Sequence, residues 1–495
     1  MLFRENMRLP HRIRILVFSC LLIIAGSRNS VRAQNNQLEQ TSDTRFSEIA
    51  REFSSMFPKH HISRKKMDDA ISSMAWSNYI SALDYERVYF LASDIETFRK
   101  NEFLIDDQFK EGDVNFAFEV YDVFKKRLAD RHAYVDSLLA NGFDLEKQES
   151  FKWKRKDAEW AKDKKEWDDL WRKKIKNEYV RLVVADKLTE QEEPAETNAP
   201  STNGAPVEVK SPEELIGNRY KQSAILTADT DSESVFERYL TAAAMAYDPH
   251  STYMAPYSVE NFQIEMSLSL CGIGVVLSPD DGAVKVESII PGGPADRDKR
   301  EKRLVPGDRI VGVGQGDGEN VSIRHLPLDK AVTHIRGEKG TKVVLKAHPA
   351  GEPTKFRYVD LMRDEVKLEQ QAAQSEIRSV QIGTSNTTYS VGIISLPAFY
   401  ANMQTNDESD PLYRSSANDV AKILKEMTEK NVDGVILDLR QNGGGSLIEA
   451  VRMTGLFIDS GPVVQIKERF WPQVLFDDDP SMAYEGPLVI LVSRL

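Results

Sequence analysis

Apolar residues recur at helical spacing through the first half of the chain, in windows at 46–57, 66–83, 116–139 and 157–182, where prolines are scarce. Each window predicts an amphipathic helix with one face turned to a shared core. Trp153, Trp160 and Trp167 stand seven residues apart with Trp171 one turn later, which predicts a stripe of rings along one helix, packed against a neighbouring helix. Acidic residues interleave with the lysines of that segment and argue against a nucleic-acid or membrane face. The periodicity stops at 189–215, where Glu, Pro, Asn, Ser, Thr and Gly cluster, as in a flexible insert. From about 260 to 365 the pattern changes to short apolar runs separated by Gly and Pro turns. The expected elements there are a glycine-containing loop and strand at 270–276, strands at 284–290, 309–313 and 342–347, and a helix at 328–336. Beyond 365, strands at 389–396, 432–438 and 487–492 alternate with helices at 416–430 and 447–457, the signature of an α/β layer.

Composition adds compartment and charge. Arg4, Arg8, Arg12 and Arg14 precede an apolar run from Ile15 to Gly26, and Val31-Arg32-Ala33 stands before Gln34 like a small-residue cleavage site. Residues 1–33 therefore read as a secretory signal peptide, with a retained anchor as the alternative because Arg28 and Arg32 follow the apolar run. Cys20 after Ser19 is a poor lipoprotein site, since apolar residues continue past it. The 495-residue chain carries a net charge of −12; without the leader's six arginines and one glutamate, 59 cationic face 76 acidic side chains, a net −17. That balance disfavours nucleic acid as a partner. Cys271 is then the single cysteine, so no internal disulfide can form. No His/Cys cluster has metal-ligand spacing, and no cofactor or metal is expected. His60-His61 is a surface pair at a helix boundary.

The run Val432-Asp433-Gly434-Val435-Ile436-Leu437-Asp438-Leu439-Arg440-Gln441-Asn442-Gly443-Gly444-Gly445-Ser446 leads a buried strand through three glycines into a helix. Glycines at such a junction permit positive φ and bring N–H groups close to a ligand at a helix N-terminus. The corner suits a developing oxyanion, with Gly443 and Gly444 the expected donors; the same pattern also cradles phosphates or simply makes a tight turn. Ser446 reads as the helix N-cap rather than a nucleophile, and Lys425 as a solvated helix residue. His250, in Asp248-Pro249-His250-Ser251, reads as part of a turn stabilised by Asp248 ahead of a strand at Tyr253.

Taken together, Asp248-Pro249-His250-Ser251-Thr252-Tyr253-Met254, Glu265-Met266-Ser267-Leu268-Ser269-Leu270-x-Gly272-Ile273-Gly274, Pro306-Gly307-Asp308-Arg309-Ile310-Val311-Gly312-Val313-Gly314-Gln315, Ile335-Arg336-Gly337-x-x-Gly340, the Leu437-Asp438-Leu439-Arg440-x-Asn442-Gly443-Gly444-Gly445 run, Gly455-Leu456-Phe457-Ile458 and Gly486-Pro487-Leu488-Val489 resemble, in order, the tail-specific proteases of the C-terminal processing peptidase family. The resemblance implies a multi-domain α+β chain: signal peptide 1–33, helical N-terminal domain 34–245, PDZ domain with flanking segment 246–365, and at 366–495 the first half of an α/β (ββα-repeat, crotonase-like) serine peptidase core. It implies an exported serine endopeptidase, in the bacterial periplasm, acting by a Ser-Lys dyad. In the family the serine follows the strand matching 486–495 and the lysine comes later, so these 495 residues by themselves are expected to lack the dyad, to be inactive and to leave the last strand uncovered. The alternative is a non-catalytic PDZ-containing peptide binder or adaptor.

A PDZ groove takes an extended peptide by strand addition and captures its terminal carboxylate on loop N–H groups. Leu270, Gly272, Ile273, Gly274 and Val275, with Val332 and Ile335 on the helix, are the expected lining, each balanced against a plain core role. The partners implied are proteins or peptides with apolar C-termini, and an adaptor protein; membrane contact is expected only through an uncleaved leader.

Overall fold

A computed structural model describes residues 44–192, 211–228, 230–280, 282–352, 354–381, 387–402, 414–468 and 471–494. The leader and most of the 189–215 insert lie outside the described residues.

The N-terminal half is helical: α1 (Thr44–His60), α2 (Asp69–Leu83), α3 (Ala92–Phe98), α4 (Ile105–Glu111), α5 (Asn115–Asn141), α6 (Lys164–Glu192), α7 (Pro212–Ala228), α8 (Ser232–Met245) and α9 (Pro256–Ser267). Helix α2 buries Ile71, Trp76, Tyr79 and Ile80. The Tyr79 and Tyr239 rings meet at 5.0 Å, and Phe109 stands edge-on to Tyr239. No helix among the described residues is long and apolar enough to cross a membrane.

Three expectations need correction here. The tryptophan stripe is broken, because α6 starts at Lys164. Asp163 accepts the Glu166 N–H while the Glu166 carboxylate takes the Lys162 N–H, a pairing of side chains that fixes a helix start. Trp167 and Trp171 do share a face, both donating to the Val88 carbonyl. Trp160 instead lies under Arg87 and donates to Asp84, and Trp153 stands in solvent. No strand forms at Tyr253; the chain there is irregular and enters α9 with Pro256 in its first turn, where proline needs no donor. The insert is shorter than expected, since α6 runs to Glu192 and α7 begins at Pro212.

After α9 the chain enters and leaves the next layer through one antiparallel ribbon, β1 (Ser269–Gly272) against β8 (Asp364–Lys367), which pairs Ser269 with Lys367 and Gly272 with Asp364. Between them lie β2 (Val275–Asp280), β3 (Ala283–Ile289), α10 (Pro294–Arg297), β4 (Arg309–Gln315), β5 (Asn320–Ser322), α11 (Leu328–Ile335), β6 (Lys342–His348) and β7 (Arg357–Met362). Their sheet runs β2-β3-β4-β6-β7, with β5 on β4, so β2 is an edge strand. Val284, Val286, Ile310, Val343 and Leu345 form its core with Ala331 and Ile335 of α11. This is the layout of a PDZ domain.

The last layer contains β9 (Gln374–Gln381), β10 (Thr388–Ser395), α12 (Ser416–Glu429), β11 (Gly434–Asp438), α13 (Leu447–Gly455), the hairpin β12 (Gly461–Ile466) and β13 (Gln473–Asp477), and β14 (Leu488–Leu491). The sheet order is β14-β11-β10-β9. Strands β10, β11 and β14 are mutually parallel and β9 antiparallel, with α12 and α13 in the crossovers, as parallel pairing requires. Val420, Leu424 and Met427 of α12 and Met453 of α13 pack on Ile394, Val435 and Leu437.

Candidate peptide groove and glycine corner

The predicted groove residues converge. A cleft of about 210 Å³ is lined by Leu270, Gly272, Ile273, Gly274, Val275, Val332 and Ile335, joined by Leu277, Ile290 and Arg336. The loop at its end is shaped by a glycine crossing. Gly274 has φ +73°, and a Cβ there would sit 2.9 Å from the Gly293 Cα. The carbonyls of Ile273 and Gly274 accept from Ala295 and Ile290, both at 2.9 Å. Their N–H groups have no acceptor among the described residues, which leaves two adjacent donors for an anion. Ile273 and Ile335 are also core, 2% and 3% exposed, so their edges shape the cleft from within. Leu270, Val275 and Val332 are half-buried, as expected of side chains that can still lose water to a ligand.

Helix α11, the cleft's second wall, is tied to the helical domain. Lys330 Nζ lies 2.6 Å from Asp231 Oδ2, and Arg336 donates to Asn261 at 2.8 Å. Burial pushes the Asp231 carboxyl up, but the Lys330 ammonium and the Ser234 N–H more than offset it, holding the group below the ordinary carboxylate range. Cys271, on the ribbon beside the cleft, is a free thiol raised by burial and by the Glu365 carboxylate.

The second feature is the corner after β11, at the carboxyl end of a parallel strand, where α/β sheets bind ligands. Gly444 has φ +102° and Gly445 φ +138°; a Cβ on Gly445 would press into the Phe399 backbone. Phe399 donates to the Gly444 carbonyl and Ser446 to the Phe399 carbonyl, each at 2.8 Å. Here the expectation for Gly443 and Gly444 is not met as the corner stands. The Gly443 N–H is taken by the Pro397 carbonyl at 3.1 Å and the Gly444 N–H by Asn442 Oδ1 at 2.8 Å. Among the described residues it is the Gly445 N–H that has no acceptor. Asn442 closes the turn from both ends, since its amide also donates to the Leu396 carbonyl at 3.0 Å.

Ser446 is the α13 N-cap, accepting from the Glu449 N–H. Glu449 is a further residue of the corner that the glycine motif does not mark. Its spacing from Ser446 matches a capping box, in which the acid would reach back to the cap's own N–H. That N–H already donates to the Phe399 carbonyl, and the carboxylate turns back to the preceding helix, α12. Glu449 Oε2 accepts from Ser415 Oγ at 2.5 Å, Ser416 Oγ at 3.1 Å and the Ala417 N–H at 2.9 Å, sitting on the N-terminus of α12 with 1% exposure. An anion at a helix start is favoured by the dipole, and here it clamps α13 to α12. Since Ala401 bridges to Ser415 and Ser416 donates to the Tyr400 carbonyl, corner, 396–402 segment and α12 start form one closed circuit.

Other serine-hydrolase pieces stay apart. The His250 ring is exposed beside Asp248, whose carboxylate caps the His250 N–H at 2.8 Å; Ser251 meets His61 Nε2 at 3.2 Å instead. Lys425 is exposed on α12. Among the described residues no group of three or more His, Cys, Asp or Glu is placed to hold a metal.

Residues 53–257 match the family described as the tail specific protease N-terminal domain, 261–348 the PDZ domain family, and 390–495 peptidase family S41. The chain is 33% identical over 436 residues to the tail-specific protease of Haemophilus influenzae, covering 88% of this chain and 56% of that protein. It is 28% identical over 249 residues to a carboxy-terminal processing protease of Bacillus subtilis, CtpA, covering 50% and 46%. Among solved structures, the PDZ domain of a carboxy-terminal protease from Vibrio cholerae in complex with peptide is 42% identical, covering 20% of this chain and 100% of that one, with a TM-score of 0.19. The chain spans about half the length of these curated relatives. With helical, PDZ and peptidase segments in this order, the chain belongs to the tail-specific, carboxy-terminal processing protease family.

Proposed function

We propose that the protein is an exported serine endopeptidase that takes hold of other proteins by an apolar C-terminus and delivers the adjoining chain to the glycine corner. The observation carrying this reading is the groove: an edge strand open for pairing, an apolar cleft, and two unengaged N–H groups at its end. A tail would add to β2 as a further strand, its carboxylate on the Ile273 and Gly274 N–H groups and its last side chain against Leu270, Val332 and Ile335. Peptide-bond cleavage in this reading uses the serine nucleophile and lysine base that the family resemblance assigns downstream of β14. The lysine would need burial beside the serine to lower its pKa. The corner would steady the oxyanion through Gly445, or through Gly443 and Gly444 once Pro397 and Asn442 let go. One such donor is worth about 10²–10³ in rate. Export rests on the leader pattern at 1–33, and the periplasm is the compartment that fits it.

The binding half can be tested without catalysis. Fluorescence anisotropy of an apolar-ended peptide should give tighter binding as the free acid than as the amide, by at least tenfold, because the amide loses a charge-assisted contact of about 1.5–3 kcal/mol. Equal affinity of acid and amide contradicts the proposal.

A further inference from the structure

The connection between α5 and α6 carries a surface that peptide capture does not use. Residues 142–163 form neither helix nor strand, and at 152–156 they read Lys-Trp-Lys-Arg-Lys. Read from spacing, Trp153 belongs to a buried stripe; in the fold it is 67% exposed. Solvent exposure of an indole forgoes one of the largest apolar burials a side chain offers. The Lys154 ammonium lies 4.8 Å from the Trp153 ring centre. Lys156 lies 5.7 Å from the ring of Tyr85, itself 54% exposed. Two amphipathic rings and a cation cluster thus share this part of the surface.

The cations are not neutralised locally. Lys152, Lys154 and Lys156 are exposed, and among the described residues none has a carboxylate within ion-pair distance. The acids nearby have other partners: Glu86 the Arg155 N–H, Glu149 Arg172 and Lys176, Glu166 the Lys162 N–H, Asp169 Arg172 and Lys173, and the exposed Glu159 Lys162 at 3.8 Å. Asp157 is the one acidic residue between 150 and 158, so the interleaved acids that argue against a membrane face along the rest of the tryptophan segment are missing from this stretch. In a chain of net charge −12, attraction to an anionic surface has to come from a local patch, since the whole is repelled.

We propose that this loop docks the protein on the surface of a bilayer containing anionic phospholipid. Trp and Tyr rings settle at the headgroup level of membranes, and each lysine near an anionic leaflet adds attraction that falls off within a Debye length. The surface lies on the helical domain, away from the groove and the corner in sequence, so docking does not depend on the peptidase reading.

Co-flotation with large vesicles tests this on the full chain; every variant carries the same first 33 residues, so any contribution of the leader cancels in the ratios. Vesicles of equal parts phosphatidylglycerol and phosphatidylcholine should carry the protein at low salt, with binding lost as salt rises and absent on pure phosphatidylcholine. The triple variant Lys152→Gln/Lys154→Gln/Lys156→Gln should lower the partition coefficient by about 10²-fold at three lysines' worth of surface attraction. Trp153→Ala should weaken binding without changing its salt dependence. All four positions are exposed, and unchanged thermal melting by circular dichroism verifies that the fold is intact. Equal partition of parent and triple variant, or equal binding to neutral vesicles, overturns the proposal. So does lysine-dependent binding to polyglutamate or DNA with none to vesicles, which would give the surface to a polyanionic macromolecule.

Discussion

The PDZ groove and the glycine corner use the same residue for opposite ends. At the groove, Gly274 and Gly293 cross so closely that the loop carbonyls are consumed by Ala295 and Ile290 while the Ile273 and Gly274 N–H groups are left over. At the corner, Gly444 and Gly445 let the chain fold against Phe399, and the Gly443 and Gly444 N–H groups are consumed instead. One glycine turn is open to a ligand and the other is sewn to its own protein. The donors that the proposed peptide binding needs are therefore preformed at the groove, whereas the corner is first of all a joint that holds three segments together, and among the described residues Gly445 is the one glycine of the three whose N–H keeps no acceptor.

The contrast can be broken from the corner side with the largest effect. Glu449→Ala removes the acceptor for Ser415, Ser416 and the Ala417 N–H in a buried site, and stranded buried donors cost about 1–3 kcal/mol each. We expect about 3 kcal/mol or more of lost stability, with hydrogen exchange accelerated at Ser416, Ala417 and the corner amides Phe399 and Ser446, while acid-peptide binding at the groove stays within twofold. Glu449→Gln, which keeps one acceptor oxygen, should lose about half as much. Loss of peptide binding in either variant would show that the two regions are not separable.

From the groove side, Gly274→Ala places a Cβ against the Gly293 backbone at a φ of +73°. Strain of this kind costs about 1–3 kcal/mol, which predicts at least a tenfold loss of acid-peptide affinity in the anisotropy assay and no change in exchange at the corner. A variant that binds as well as the parent would remove the loop from the site.

The smallest effect concerns the tie between α11 and α8. The Asp231 carboxyl is held below its ordinary range when folded, so its contribution is present above the unfolded pKa and fades as pH falls through the folded one. Because Asp231 and Lys330 are both part-exposed, screening limits the pair to about 0.5 kcal/mol. Asp231→Asn should match the parent's unfolding free energy at pH 3 and fall below it at pH 6 by that amount; an equal deficit at both pH values would assign the loss to packing instead.

The groove was legible in the sequence because its parts are short-range: alternating strands, a Pro-Gly-Asp turn, and a helix whose apolar positions Val332 and Ile335 stand one turn apart. Each of those rules depends on neighbours within a few residues. The corner's strand and helix were legible for the same reason, including the Ser446 cap. What was not legible depends on partners far along the chain: Pro397 takes the Gly443 donor, Phe399 takes the Ser446 N–H, and Glu449 thereby leaves its own helix for Ser415. Trp153 and Trp160 were misplaced although a local signal existed, since the Asp163 and Glu166 pair ends the helical reading ten residues downstream of Trp153. A seven-residue recurrence of tryptophan does not carry a helix back through that cap.

The most direct test of the open groove against the closed corner is amide hydrogen exchange of the chain with and without an apolar-ended peptide acid. Protection should appear at Ile273, Gly274 and along the outer edge of β2, with Gly443 and Gly444 protected equally in both states because their acceptors are intramolecular. Peptide-induced protection at the corner in place of the loop, or slow exchange at Ile273 and Gly274 before any peptide is added, would contradict it.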